Sequence, residues 1–254
     1  MAEFTRMRGE IGGRAGFVPT MGALHEGHLS LARLAKVRCE RVIVSIYVNP
    51  TQFAPHEDFD AYPRNIDGDL ALLENEGVDL VFLPSERDIY PGGPVADIQV
   101  GAAAEGLESD FRPHFFGGVC SVVKRLFEIT QPDLAVFGEK DFQQLMVIRE
   151  MVAAHKMGVE IVGGATLRDE HGLALSSRNA YLSEGELGIA RMLNQIIYKA
   201  AEAPGEEALK AAKEMLLTAG FDKVDYVAYR PEWNRVLAAA WIGKTRLIDN
   251  CATG

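Results

Sequence analysis

Residues 41–48, Arg-Val-Ile-Val-Ser-Ile-Tyr-Val, are apolar on both alternating faces. A strand with two apolar faces must be covered twice, as a central strand of a parallel sheet is by helices on each side. Pro50, which has no amide hydrogen to give to a ladder, stops this strand in Asn49-Pro50-Thr51-Gln52. The run therefore selects an α/β architecture, in which ligands meet loops at the C-terminal ends of strands. Asn49 and Gln52 stand in one such loop and are candidate ligand contacts.

The flanking chain repeats the pattern. Phe17 and Val18 close a short buried strand, residues 19–22 read as a turn, and a helix is expected over 27–36. A helix over 66–76 closed by Gly77 precedes a strand over 79–83 that Pro84 stops. Residues 90–118, rich in Gly, Pro and Ala, read as irregular, with a short edge strand over 97–100. A helix over 119–129, a strand over 133–137, a helix over 142–157 closed by Gly158 and a strand over 159–163 follow.

Beyond Thr166 the pattern changes. Ser183-Glu-Gly-Glu186 is a capping box for a helix reaching about Ala203, and Pro204 starts another that Gly220 ends. Short strands at 224–229 and 245–248 flank an Ala-rich piece. Two domains are expected, 1–165 and a small α+β domain over 166–254.

The formal charge of −10 repels nucleic acid, so no nucleic-acid partner is expected and any anionic substrate must be met by local cations. No apolar run approaches the ~20 residues that cross a bilayer, and the N-terminal residues lack a signal-peptide core. The expectation is a cytoplasmic protein without membrane attachment. Cys39, Cys120 and Cys251 are widely spaced, which suits a reducing compartment and excludes a Cys-x-x-Cys site.

Three stretches carry chemistry. Residues 16–28, Gly-Phe-Val-Pro-Thr-Met-Gly-Ala-Leu-His-Glu-Gly-His, set His25 and His28 at the elbow of a strand-turn-helix, where unpaired N–H groups and the helix dipole favour an anion such as phosphate. His-Glu-Gly-His is one residue short of the His-Glu-x-x-His zinc pattern, and no third ligand is evident. A second strand-turn-helix, Gly138-Glu139-Lys140-Asp141, presents Lys140 at a helix N-terminus, where the dipole disfavours a cation unless an anion compensates. Leu175-Ser176-Ser177-Arg178-Asn179 supplies two hydroxyls and a guanidinium suited to phosphate oxygens. Gly243-Lys244-Thr245 is not a P-loop, because Ala238 occupies the place of the first glycine. Ser121-Val-Val-Lys124 lacks the companion motifs of penicillin-recognising enzymes.

Taken together, Pro-Thr-Met-Gly-Ala-Leu-His-Glu-Gly-His, Val-Asn-Pro-Thr-Gln-Phe, Asp-Ala-Tyr-Pro-Arg, Phe-Gly-Glu-Lys-Asp-Phe-Gln-Gln and Leu-Ser-Ser-Arg-Asn resemble the pantothenate synthetases, or pantoate–β-alanine ligases. The similarity runs over 16–183, with a fainter echo in Thr245-Arg-Leu-Ile-Asp-Asn250. The resemblance implies a Rossmann-like, doubly wound parallel sheet of the His-x-Gly-His nucleotidyl-transfer superfamily, a small C-terminal cover domain and a homodimer. It further implies that pantoate and β-alanine are joined using ATP and Mg²⁺, through a pantoyl adenylate, giving pantothenate, AMP and pyrophosphate. The metal's ligands stay unassigned.

By the same resemblance, His25, His28 and Lys140 are the catalytic residues, with His28 as proton donor. Met21, Gly22, Ala23, Leu24, Glu26, Gly27, Gly138, Glu139, Asp141, Leu167, Leu175, Ser176, Ser177 and Arg178 join them around the nucleotide. Gln52 and Gln144 match the pantoate contacts, with Gln52 also near β-alanine. Near residue 112 the family pattern Arg-Pro-x-His-Phe-x-Gly-Val is broken, since His114 falls one place early and Phe115 takes the histidine position. Two rival readings are a nucleotidyltransferase with another acceptor, which Gln52 and Gln144 disfavour, and a nucleotide sensor, which the intact His25, His28, Lys140 and Arg178 disfavour.

Overall fold

The computed structural model describes residues 1–53, 59–95 and 98–254. The chain divides into two units, Met1–Glu139 with Gln143–Ala165, and Lys140–Phe142 with Thr166–Gly254.

Within the first unit the described strands form a parallel sheet. β1 (Ala15–Thr20), β2 (Arg41–Ile46), β3 (Leu80–Phe82), β4 (Leu134–Gly138) and β5 (Glu160–Gly164) pair in the order β3-β2-β1-β4-β5. Strand order reverses between β1 and β4, so the two strands part their connections there and leave a crevice at their C-terminal ends. Residues 21–25 leave the sheet from β1, and Gly138 ends β4.

Both faces of β1 are covered, as a doubly wound sheet requires. Val18 packs with Leu29, Leu31, Ala32 and Ala35 of α2 (Glu26–Arg38). Phe17 points the other way, its ring edge-on to Phe127 of α6 (Phe115–Thr130) at 6.1 Å. Burying such side chains is worth about 1.5–3 kcal/mol each. The first unit also carries α1 (Ala2–Glu10), α3 (Ile66–Asn75), α4 (Glu86–Ile89), α5 (Glu108–Phe111) and most of α7 (Phe142–Ala154).

Several expectations need correction. Helix α6 begins at Phe115, inside the segment read as irregular, despite the poor helix propensity of Gly117 and Gly118. Tertiary packing overrides propensity here: the Arg112 guanidinium lies 3.9 Å from the Phe115 ring centre, and a Cβ on Gly118 would overlap the Thr51 carbonyl. Of the edge strand expected over 97–100, Asp97 lies outside the described residues and 98–100 form no strand.

In the second unit, α8 (Glu184–Ala190) opens with the expected capping box, and Arg191 separates it from α9 (Met192–Ala201). Helix α10 (Glu206–Ala219) ends at Gly220, whose φ of +111° suits glycine. β6 (Lys223–Arg230), β7 (Arg235–Ile242) and β8 (Thr245–Ala252) form an antiparallel sheet in that order. The Ala-rich piece is thus the central strand β7. Ala238 and Ala240 share a fully buried cluster with Ile196 and Ile197 of α9, where small side chains let helix and sheet approach closely. Gly243, at φ +54°, and Lys244 make the tight turn between the paired residues Ile242 and Thr245.

Candidate active site

The turn after β1 is built from unusual backbone. Gly22 has φ +82° and Ala23 φ +50°, and the chain then enters α2 with His25 as its N-cap at φ −140°. The side chain of His25 accepts a hydrogen bond at Nδ1 from the Gly27 N–H, 3.1 Å away, and the His25 N–H donates to Nδ1 of His28 at 3.4 Å. This is a reciprocal capping box made from two imidazoles, whose ring centres lie 4.1 Å apart. An Nδ1 that accepts carries no proton, so the neutral ring holds its hydrogen on Nε2. Both histidines are thereby oriented as Nε2–H donors at the start of a helix, the place where a phosphate is best received.

The same turn depends on Asp69 of α3, a residue that sequence reasoning missed. Its Oδ2 accepts from the Ala23 N–H at 2.9 Å and its Oδ1 from the Leu24 N–H at 2.7 Å. These two amides are therefore committed to protein, leaving the carbonyls and side chains of residues 21–24 for other contacts. Glu26 is exposed and forms an ion pair with Arg33, which also binds Glu76.

In the loop after β2, Asn49 and Gln52 part ways. Asn49 is only 1% exposed; it donates to the Gly118 carbonyl and accepts from Tyr90 Oη at 2.9 Å and Thr51 Oγ1 at 3.1 Å. It is a structural hub, and the side chain expected to meet ligand is occupied by the fold. Gln52 remains half-buried, its carbonyl held by Arg112 at 2.9 Å. Gln143 and Gln144 separate in the same way. Gln143 is buried, bonding Ala103, Gly106 and the Glu108 N–H, while Gln144, about 100° round the helix, stays half-buried. His114, outside the family register, is an exposed residue preceding α6 without a side-chain cap bond.

Lys140 and Asp141 form part of a 3₁₀ turn, Glu139–Asp141, between β4 and α7. Lys140 Nζ lies 4.0 Å from Asp141 Oδ2, and its carbonyl accepts from Asn250 Nδ2 at 2.9 Å. Within the same unit Leu167 and Leu175 face each other in a small hairpin closed by the Leu175 N–H to Leu167 carbonyl bond, 2.9 Å. Arg168 beside them makes a two-pronged pair with buried Asp249 at 2.6 and 2.9 Å. Burial works against the Arg168 charge, but Asp249 outweighs it and holds the guanidinium above its ordinary range. The hairpin runs into Ser176, whose Oγ accepts from the Arg178 N–H at 3.3 Å and so caps the 3₁₀ helix Ser177–Tyr181. Ser176, Ser177 and Arg178 are half-buried and sequential on this cap.

A family model described as pantoate-beta-alanine ligase matches residues 1–252. The chain belongs to the pantoate–β-alanine ligase family. It is 54% identical to the pantothenate synthetase of Mesorhizobium japonicum, over 93% of this chain and 89% of that protein. With the pantothenate synthetase of Caulobacter vibrioides it shares 49% identity over 100% and 96%. The solved pantothenate synthetase of Thermus thermophilus superposes with a TM-score of 0.91 at 41% identity, covering 98% of this chain and 96% of that one. A Francisella tularensis pantoate-beta-alanine ligase, solved with beta-gamma ATP and beta-alanine, gives 0.90 at 39% identity, covering 100% and 96%.

As a pantoate–β-alanine ligase the chain is an enzyme, and its parallel sheet with a small antiparallel C-terminal sheet is the architecture of those structures. Two supporting residues of this ligase escaped the sequence reading. Asp69 stands in the first turn of α3, where the helix dipole favours any acid, so nothing in its residue type or spacing marks it out. Asn250 lay inside the faint C-terminal echo, Thr245-Arg-Leu-Ile-Asp-Asn250, which was the one available signal for it.

Proposed function

We propose that this ligase works by adenylation followed by amide formation, with the interlocked His25 and His28 pair as the observation that carries the reading. A pantoate carboxylate oxygen bonds to the α-phosphorus of ATP as the bond to pyrophosphate breaks. The β-alanine amine, entering neutral, then attacks the adenylate carbonyl, the acyl C–O bond to AMP breaks, and the nitrogen loses one proton while keeping the other as the amide N–H. Negative charge gathers on the phosphates in the first step, and donors aimed there are worth a few kcal/mol each, as a rough guide.

His25 and His28 donate to that charge, with His28 as the proton donor whose Nε2–H hydrogen-bonds the departing phosphate oxygens. Lys140, Ser176, Ser177 and Arg178 supply the local cation and hydroxyls that the net charge of −10 makes necessary. Met21, Gly22, Ala23, Leu24, Glu26, Gly27, Gly138, Glu139, Asp141, Leu167 and Leu175 line the nucleotide. Gln52 and Gln144 orient pantoate as neutral amides, which bind hydroxyls and carboxylate without quenching the nucleophile. Residues 166–254 serve as a cover that keeps water from the mixed anhydride.

Among the described residues no group of three or more His, Cys, Asp or Glu side chains is arranged to hold a metal. Mg²⁺ enters this reading with the nucleotide substrate, because it is commonly held by phosphates and one or two carboxylates. The working form is a homodimer in the cytoplasm. No helix among the described residues is long and apolar enough to cross a membrane.

The test is product analysis with ATP, Mg²⁺ and pantoate, with and without β-alanine. Pantothenate, AMP and pyrophosphate in equal amounts only when both acids are present is the expected result. ATP consumption without pantothenate would overturn the reading.

A further inference from the structure

We propose that Asp69 is a positioning residue for the histidine pair, acting through the turn that joins β1 to α2. The inference rests on the role given above to His25 and His28, but its structural half can be tested apart from that role.

Ala23 adopts φ +50°, a left-handed conformation that residues with a Cβ rarely take, and something outside the turn must hold it there. Asp69 does so. It is 2% exposed, and both carboxylate oxygens are spent on the consecutive N–H groups of Ala23 and Leu24. A first-turn Asp would ordinarily face water; here it turns inward to a segment far away in sequence. Gly22 makes the approach feasible, since a Cβ there would come within 3.0 Å of both Asp69 Oδ2 and Ile46 Cγ2.

The consequence falls on the next residue. With the Leu24 amide clamped, His25 enters in extended conformation and its own N–H reaches Nδ1 of His28 at 3.4 Å, near the limit of a hydrogen bond. A small rotation of the turn breaks that bond, and with it the restraint that keeps the His28 hydrogen on Nε2. Asp69 thus sets, without touching the ring, which nitrogen of His28 carries the proton, while the Gly27 N–H holds the tautomer of His25.

Asp69→Asn tests this, because an amide can accept from one of the two N–H groups and must turn its own NH₂ toward the other. Long-range ¹H–¹⁵N spectra of the imidazoles are expected to show the Nε2–H form for both histidines in the parent enzyme and mixed tautomers for His28 in the variant. ATP–pyrophosphate exchange driven by pantoate is expected to fall about ten- to a hundredfold, with the KM for β-alanine unchanged. Asp69→Glu, which keeps both acceptor oxygens, should recover part of the exchange. A folded Asp69→Asn enzyme with parent-like tautomers overturns the proposal. Mixed tautomers with undiminished exchange uphold the positioning role and overturn instead the assignment of the histidines to the nucleotide. Should Asp69→Asn fail to fold, Gly22→Ala crowds the same carboxylate from the turn side, and parent-like spectra from that variant overturn the proposal.

Discussion

Asn250 donates from Nδ2 to the backbone carbonyl of Lys140 at 2.9 Å, while its Oδ1 accepts from Arg235 Nη1 at 2.7 Å. With Asn250 only 3% exposed, the last strand of the small sheet grips the main chain of a proposed catalytic lysine. Replacement by Ala removes one hydrogen bond from the Lys140 carbonyl and one from the Arg235 guanidinium, at a cost of about 1–3 kcal/mol. Asn250→Ala is therefore expected to lower the urea midpoint and, by loosening Lys140, the apparent affinity for ATP. A parent-like midpoint and ATP affinity would count against the grip.

His28→Ala removes the acceptor of the His25 N–H and one proposed phosphate donor. Loss of half a cap costs about 0.5–2 kcal/mol, so the protein should stay folded. Loss of the donor should cut ATP–pyrophosphate exchange by about a hundred- to a thousandfold. Near-normal exchange in a folded variant would remove His28 from the mechanism.

Gly118 sits where α6 crosses the loop carrying Gln52, and an added methyl would overlap the Thr51 carbonyl. Gly118→Ala must push backbone aside, which costs about 1–3 kcal/mol. The strain falls on the loop, so the KM for pantoate is expected to rise more than that for ATP, as steady-state kinetics would show.

Acid should weaken the small sheet through Asp225. Burial raises its pKa, but Lys223 at 2.8 Å, Arg246 Nε at 2.8 Å and Trp241 Nε1 at 2.9 Å together outweigh that and hold the carboxyl below its usual range. A depressed folded pKa contributes stability that is present above the unfolded value, about 3.9, and is lost as pH falls through the folded value. Asp225→Asn is expected to be less stable at neutral pH and to show a flatter acid limb when urea midpoints are measured between about pH 2 and 6.

Thiol reactivity should rank by burial. Burial pushes Cys120 up to about 12 and Cys251 up to about 11, and raises Cys39, which alone of the three is partly exposed. The thiolate is the reactive form. Iodoacetamide at pH 8 is therefore expected to label Cys39 first and slowly, with Cys120 and Cys251 reacting only after unfolding, as peptide mapping would reveal.

Most of the first unit was legible because its signals are local. The doubly apolar 41–48 run, the proline after it and the glycine closing α3 each act within a few residues; α7, by contrast, stops at Ala154, and Lys156 at φ +52° makes the left-handed turn before the expected closure at Gly158. The small sheet was read less well. Ala has weak strand propensity, so β7 was passed over although it is the central strand, and its place comes from pairing with β6 and β8 on either side. Adjacent Gln143 and Gln144 could not be told apart until the helix was docked and one of them turned inward.

By itself the sequence determined the parallel α/β class, the family, and the stretches that carry histidine, lysine and Ser-Ser-Arg chemistry, because residue type and short spacing suffice for these. Only the tertiary structure decided that Asn49 is a hub, that Asp69 turns inward to Leu24 across 45 residues, and that Asn250 holds Lys140 across 110. The physical reason is that a buried polar group's role depends on which distant partner satisfies its hydrogen bonds, and local periodicity carries no record of that partner.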